Sequence, residues 1–235
     1  LTLEECAGQL LCMSQFNDSL DYWLGLMEKV PFGAARARSE TAEGYKYPRL
    51  ILAGFGGQGI LTIGTLLSEA AQQKGMPVNF FPSKGMAQRG GFVKAQIRLG
   101  QEMTGPNIPQ RQADLVLAIE VSEALKAIRM IKPNGDFILM ADIWRPNDVA
   151  LGKADYPKLD EVKEHIASAG AQLHLLLPEQ LPRVDDVPVQ PNLFMLGYAL
   201  QYTPLGDWFS IEELEILIKN KWPTLIEENL LAYQT

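Results

Sequence analysis

The sequence predicts an α/β fold: a Rossmann-like, mostly parallel sheet with helices on both faces, preceded by an N-terminal helical arm. Three observations predict it. Residues 1–30 carry apolar side chains at helical intervals and then break at Pro31-Phe32-Gly33. From Leu50 onward, short apolar runs alternate with stretches of helical length, the pattern of strands joined by crossover helices. The first of those runs ends in a glycine-rich turn that leads straight into a helix, as in nucleotide-binding α/β units.

The elements follow in order. Thr2 and Glu5 have capping-box spacing, and Leu3, Cys6 and Leu10 recur at helical intervals. A second stripe, Leu20, Trp23, Leu24 and Met27, follows Asn17-Asp18 and reads as a second short helix. After the break at Pro31-Phe32-Gly33, Ala34 to Arg49 is small, charged and aperiodic, which makes 31–49 a linker. The arm, 1–30, either folds back on its own main domain or docks into a groove on a partner. Aromatic and aliphatic anchors on a tether favour docking, with Trp23 and Met27 as the anchors.

The main domain is assigned to 50–235. Leu50 to Gly54 is a continuous apolar run, the mark of a strand buried on both faces. Gly54 to Gly59 forms the turn, and Ile60 to Lys74 a helix stopped by Gly75. Val78 to Phe81 is the next strand and runs into Pro82-Ser83-Lys84-Gly85; Phe92 to Leu99 alternates as a strand and ends at Gly100. Leu115 to Glu120 is a buried strand, and Ser122 to Ile131 a helix stopped by Pro133-Asn134-Gly135. Phe137 to Met140 is a strand, Leu159 to Ala169 a helix, and Leu173 to Leu177 a strand. Asn192 to Tyr202 and Ile211 to Lys221 are helices, the latter opened by a Ser210–Glu213 capping box.

Composition narrows the function. Twenty-one Lys and Arg against 28 Asp and Glu give a net charge of −7 over 235 residues, which argues against a nucleic-acid binder. A hydrophobic content of 47% with 21% charged residues is that of a globular chain. No apolar stretch approaches the ~20 residues of a spanning helix. Glu4 and Glu5 stand where a basic leader would be, so the start does not read as a signal peptide, and a cytoplasmic location is expected. The chain begins at Leu1 rather than Met, which leaves residues before it open. Cys6 and Cys12 are the only cysteines, and His165 and His174 the only histidines. That set is too small for a disulfide framework, a four-thiolate cluster or a histidine-rich metal site.

Two constellations could carry chemistry. Gly54-Phe55-Gly56-Gly57-Gln58-Gly59 has dinucleotide-fingerprint spacing at a strand-to-helix junction. Its glycines allow a sharp turn and let helix-start N–H groups face an anion. The fingerprint also wants an acid about 20 residues on to hold a ribose; Asn79, Phe80 and Phe81 stand there instead. Tight packing, a phosphate or interface loop, and a weaker NAD pocket all remain open. The second constellation, Ser83 to Gly91, follows a strand and so falls at the carboxyl edge of a parallel sheet, where ligands gather. There Arg89 could grip a carboxylate or phosphate through two hydrogen bonds, which Lys84 cannot; the alternative is a solvated basic loop. Glu120 either shapes the same crevice or complements the dipole of the helix it precedes. Asn192 either meets a ligand or caps its helix. His165 reads as surface, His174 as packed, and Trp208, Phe209 and Trp222 as core or subunit interface.

Four stretches in this order, GFGGQG at Gly54–Gly59, KGMAQRGG at Lys84–Gly91, ADLVLAIEVSEAL at Ala113–Leu125 and PNLFMLGYAL at Pro191–Leu200, resemble a known family. They are similar to the gamma-type subunit of the 2-oxoacid:ferredoxin oxidoreductases, of pyruvate and ketoisovalerate type. The GMAQRGG form most resembles the indolepyruvate oxidoreductase beta-subunit branch, whose substrates are aryl 2-oxoacids. The resemblance runs from about Leu50 to the end and leaves the arm outside it.

The resemblance implies an assembly. In it thiamine diphosphate with Mg2+ decarboxylates a 2-oxoacid, and 4Fe–4S clusters pass electrons to ferredoxin or another acceptor. The acyl group commonly leaves on coenzyme A. This chain has no GDG-to-NN thiamine stretch and no four-cysteine motif. It is therefore expected to be an accessory subunit with no catalytic residue or metal ligand, inactive alone, beside larger subunits that carry the cofactors. Neither nucleic acid nor membrane is an expected partner. A ligand or partner-subunit interface is expected at Gly54, Gly56, Gly57, Gln58, Gly59, Lys84, Gly85, Met86, Arg89, Gly90, Gly91, Glu120 and Asn192. The alternatives are a stand-alone dinucleotide-binding dehydrogenase and a non-catalytic nucleotide-binding scaffold.

Overall fold

The computed structural model describes residues 46–84, 92–101, 105, 107–145, 147–153, 155–223 and 226–234. The expected arm, its anchors Trp23 and Met27, and the linker up to residue 45 lie outside them. The strands are β1 (Arg49–Phe55), β2 (Val78–Lys84), β3 (Phe92–Leu99), β4 (Ala113–Ala118), β5 (Ile131–Met140), β6 (Gln172–Leu176), β7 (Arg183–Val184) and β8 (Val187–Pro188). The helices are α1 (Ile60–Gln73), α2 (Val121–Ile128), α3 (Asn147–Ala150), α4 (Leu159–Ser168), α5 (Pro191–Tyr202), α6 (Ile211–Lys221) and α7 (Ile226–Gln234).

Six strands form one sheet in the order β2-β3-β1-β4-β5-β6. β1, β4, β5 and β6 pair in parallel. β3 is antiparallel to both neighbours, β1 and β2. The mostly parallel sheet is as expected, but β3 runs against β2 rather than with it. The residues between the two strands, 85–91, are fewer than the ~12 that a parallel return needs.

Side-chain alternation on β1 sorts the helices onto the two faces. Leu50 and Leu52 pack with α1, α5, α6 and α7 in one core. Ile51 and Ala53 pack with α2 and α4 in the other. β4 is buried along its whole length, consistent with a central strand covered on both sides. α7 docks very close to α5: a Cβ at Gly197 would lie 1.9 Å from the Tyr233 carbonyl oxygen, so only glycine permits that approach.

At the amino end of the sheet, buried Asp114 gathers the Arg49 backbone N–H at 2.9 Å, the Arg49 Nε at 3.1 Å and the Lys132 Nζ at 2.7 Å. One carboxylate thereby ties β1, β4 and β5 together.

Several boundaries differ from expectation. β2 runs on through Pro82 and Ser83 to Lys84 instead of ending at Phe81, and β4 ends at Ala118 rather than Glu120. The helix expected to reach Ile131 ends at Ile128, and β5 begins at Ile131 with Pro133-Asn134-Gly135 inside it. Asn134 takes a left-handed φ of 59°, and the pairing jumps from Ala113–Ile131 to Leu115–Asp136. The presumed helix stop is thus a bulge in a strand. The β7–β8 hairpin, α3 and α7 were not expected. The hairpin turns at Asp185 and Asp186, whose φ values of 48° and 63° are tolerated by aspartate.

Candidate functional site

From β1 the chain moves to β2 and β3 on one side; from β4 it continues to β5 and β6 on the other. The order therefore reverses between β1 and β4. In open α/β sheets the crevice at the carboxyl ends of such strands is where ligands sit. Gly54–Gly59 leaves β1 there, and Glu120 follows β4. β2 runs the same way as β1, so Lys84 ends at the same edge, with its register partner Val93 beside the Phe55–Phe92 pair. Gly85, Met86, Arg89, Gly90 and Gly91 lie outside the described residues.

The glycine loop is braced by its own glutamine. Phe55 N–H donates to Gln58 Oε1 at 2.8 Å, and Gln58 N–H donates to the Phe55 carbonyl at 3.2 Å. Gln58 Nε2 then donates to Asp142 Oδ2 at 3.3 Å, just after β5. Gly59 has φ 75° and sits against Asn192, whose Nδ2 donates to the Gly59 carbonyl at 3.3 Å. Asn192 is buried, with its Oδ1 unpaired. It is not a cap: Gln190 holds that position on α5. Gly59 and Asn192, far apart in sequence, are brought into contact, and α5 is thereby fastened to the start of α1.

Glu120 is fully buried. Its Oε2 accepts from Glu123 N–H at 2.8 Å and Ser122 Oγ at 2.6 Å; its Oε1 accepts from Trp144 N–H at 3.4 Å and from the Tyr156 hydroxyl. It does cap α2, and it also holds residues far downstream. Burial, reinforced by the adjoining Glu120 carboxylate, pushes the Tyr156 hydroxyl well above its ordinary pKa. Glu123 is buried too, with Oε1 on Lys126 Nζ at 2.7 Å and Oε2 unpaired. Burial raises its carboxyl pKa above the ordinary value, a rise that Lys126 partly offsets.

Beyond Asp142 the edge opens into a cleft of about 400 Å3, walled by Met140, Leu181 and Val189 and carrying Asp142, Glu179 and Arg183. Ile143 and Trp144, which follow Asp142 in the chain, are 61% and 51% exposed. A dinucleotide fold keeps its ribose acid at the end of the second strand, laid parallel beside the first; here β2 is not beside β1. Antiparallel β3 occupies that position and presents Phe92. That weakens the NAD reading further.

The other sequence candidates fall as read. His165 is exposed, its Nδ1 2.6 Å from the Glu161 carbonyl oxygen. His174 pairs with Asp136 at 2.8 Å. Phe209 is core, with Trp208 and Trp222 packed against it. Asp142, Trp144 and Tyr156 were missed. Asp142 was findable, because it stands just beyond the end of a buried strand, after Ala141; Tyr156 carries no local signal. Among the described residues no helix is long and apolar enough to cross a membrane.

Comparison with known proteins places this geometry among relatives. The family model for pyruvate ferredoxin/flavodoxin oxidoreductase matches residues 49–235. The chain is 34% identical over 187 residues to indolepyruvate oxidoreductase subunit IorB of Thermococcus kodakarensis, covering 79% of this chain and 92% of that one. It is 33% identical over 186 residues to IorB of Methanothermobacter thermautotrophicus, covering 79% and 93%. Among solved structures, the gamma subunit of a keto/oxoacid ferredoxin oxidoreductase from Geobacter sulfurreducens is alike in fold. Its TM-score is 0.56 at 20% identity, covering 81% of this chain and 94% of that one.

Proposed function

Because this chain belongs to the pyruvate ferredoxin/flavodoxin oxidoreductase family, we propose that it is the accessory, gamma-type subunit of a complex oxidising aryl 2-oxoacids of the indolepyruvate or phenylglyoxylate type. The observation that carries the reading is that its match to an indolepyruvate oxidoreductase subunit spans 92% of that subunit's length at 34% identity. Work in the cytoplasm goes with the reading.

The cysteine count of the sequence, and the donors of the described residues at the carboxyl edge, do not fit the complex's cofactors. Two cysteines cannot supply a four-thiolate cluster. At the carboxyl edge, Glu120 is saturated by four donors. Asp142 is engaged by Gln58 Nε2 and the Ile143 N–H. Thiamine diphosphate, Mg2+ and 4Fe–4S clusters therefore belong to larger partner subunits, which pass electrons to ferredoxin or another acceptor. Those groups supply the carbanion stabilisation and one-electron steps that side chains cannot.

This chain's part is to present a shaped edge. Gly54, Gly56, Gly57, Gln58 and Gly59, with Lys84, Gly85, Met86, Arg89, Gly90 and Gly91, form the face turned to the partner and to a phosphate-bearing acyl acceptor, coenzyme A. The start of α1 and the basic residues of the second loop suit such an anion. Glu120 and Asn192 support that face from beneath, and Trp23 and Met27 anchor the arm on the partner.

Purifying the native complex and identifying its cofactors and substrates tests the reading. Thiamine diphosphate and iron–sulfur signals in a co-purifying larger subunit, with faster turnover of indolepyruvate or phenylglyoxylate than of pyruvate, are expected. A free monomer that binds NAD would overturn it.

A further inference from the structure

We propose that Glu120 is the positioning residue of the carboxyl edge: its buried carboxylate clamps Trp144 and Tyr156 and so fixes the exposed Ile143–Trp144 pair before a partner arrives. Capping α2 requires only the Oε2 contact with Glu123 N–H. The two contacts on Oε1 come from residues 24 and 36 positions downstream and add nothing to that cap. Ile143 and Trp144 have more than half their surface in solvent, so side-chain packing does little to hold them. Their backbone is held from below instead. Ile143 N–H donates to Asp142 Oδ1 at 2.9 Å, Trp144 N–H donates to Glu120, and the Asp142 carbonyl accepts from Val121 N–H at 3.2 Å.

The chemistry demands a carboxylate. An ionised Glu only accepts, and each of its oxygens here faces two donors. A glutamine amide of the same shape must turn its NH2 toward one pair, leaving a backbone N–H, of Glu123 or of Trp144, facing another donor. The raised pKa of Tyr156 agrees with a hydroxyl that donates to a buried anion. Loops fixed in advance lose less entropy on association. The clamp thus serves the interface while touching nothing outside the chain, and that consequence rests on the proposed function.

Hydrogen exchange on the full chain, free of partner, tests the clamp. Glu120→Gln should speed exchange at the Ile143 and Trp144 amides by roughly tenfold, the equivalent of ~1.4 kcal/mol. Tyr156→Phe should speed the same amides while leaving Glu123 and Ala124 in α2 unchanged. Ser122→Ala, which touches only Oε2, should leave Ile143 and Trp144 at the wild-type rate. Unchanged exchange at Ile143 and Trp144 in both Glu120→Gln and Tyr156→Phe would overturn the proposal. So would acceleration spread evenly over α2 and the sheet, the mark of a merely structural residue. Because no partner is present, a chain that binds no larger subunit would sink the proposed function and leave this result standing.

Discussion

Replacing Gly59 by alanine probes the junction on which the crevice rests. Gly59 has φ 75°, a conformation that costs a non-glycine residue about 1–2 kcal/mol. Its new Cβ would also lie 2.2 Å from Asn192 Nδ2 and 2.7 Å from Asn192 Cγ. Asn192 is buried and must move, losing its bond to the Gly59 carbonyl, which adds roughly 1–3 kcal/mol. Gly59→Ala should therefore destabilise by about 2–5 kcal/mol, or on the order of 10 °C in Tm for a chain of this size. Gly57→Ala is the internal control. Its φ is 109°, yet its Cβ would meet nothing within 4 Å, so only the backbone strain of ~1–2 kcal/mol remains. Denaturant unfolding of Gly59→Ala, Asn192→Ala and the double variant closes a cycle. The pair should be less destabilised than the sum of the singles by about 1 kcal/mol or more, because truncating Asn192 removes the clash. Strict additivity, or equal costs at positions 57 and 59, would refute the contact between loop and α5.

Gly197→Ala gains ~1 kcal/mol of helix propensity, but overpacking against the Tyr233 carbonyl should cost about 3 kcal/mol; limited proteolysis should release the C-terminal helix first. Asp114→Ala strands two partly exposed cations around a buried site and should cost about 3 kcal/mol, whereas Arg49→Ala should cost about 1 kcal/mol, both read by urea unfolding. Glu123 has a folded pKa above its unfolded value, so the folded state holds its proton longer and stability falls as pH rises from the ordinary carboxylate pKa to the raised one. Glu123→Gln should accordingly be the more stable chain at pH 7, with the difference vanishing as pH drops below that window; a constant difference across the pH series would contradict this.

The alternation of apolar runs and helices made most of the sheet legible, because burial on both faces leaves continuous runs such as Leu50 to Ala53. Strand direction was less legible. The β2–β3 reversal showed only as the shortness of residues 85–91, and the Pro133–Gly135 bulge looked like a helix stop because both use turn residues. At the site, Gly54–Gly59 and Glu120 were placed correctly at the carboxyl edge, since glycine turns and terminal acids mark strand ends. What local pattern could not give were the partners. Gln58 reaching Asp142, Asn192 seated on Gly59, and Tyr156 on Glu120 are contacts between distant segments, written in tertiary packing rather than spacing.

The most direct test of the account is 2-oxoacid-dependent ferredoxin reduction, measured with this chain alone, with its larger partner subunit alone, and with both together. The chain alone should give no turnover with indolepyruvate, phenylpyruvate, phenylglyoxylate, pyruvate or 2-oxoglutarate, and full activity should appear only in the reconstituted complex. Turnover by this polypeptide alone, or a larger subunit equally active without it, would contradict the claim that it is a necessary subunit whose cofactors reside elsewhere.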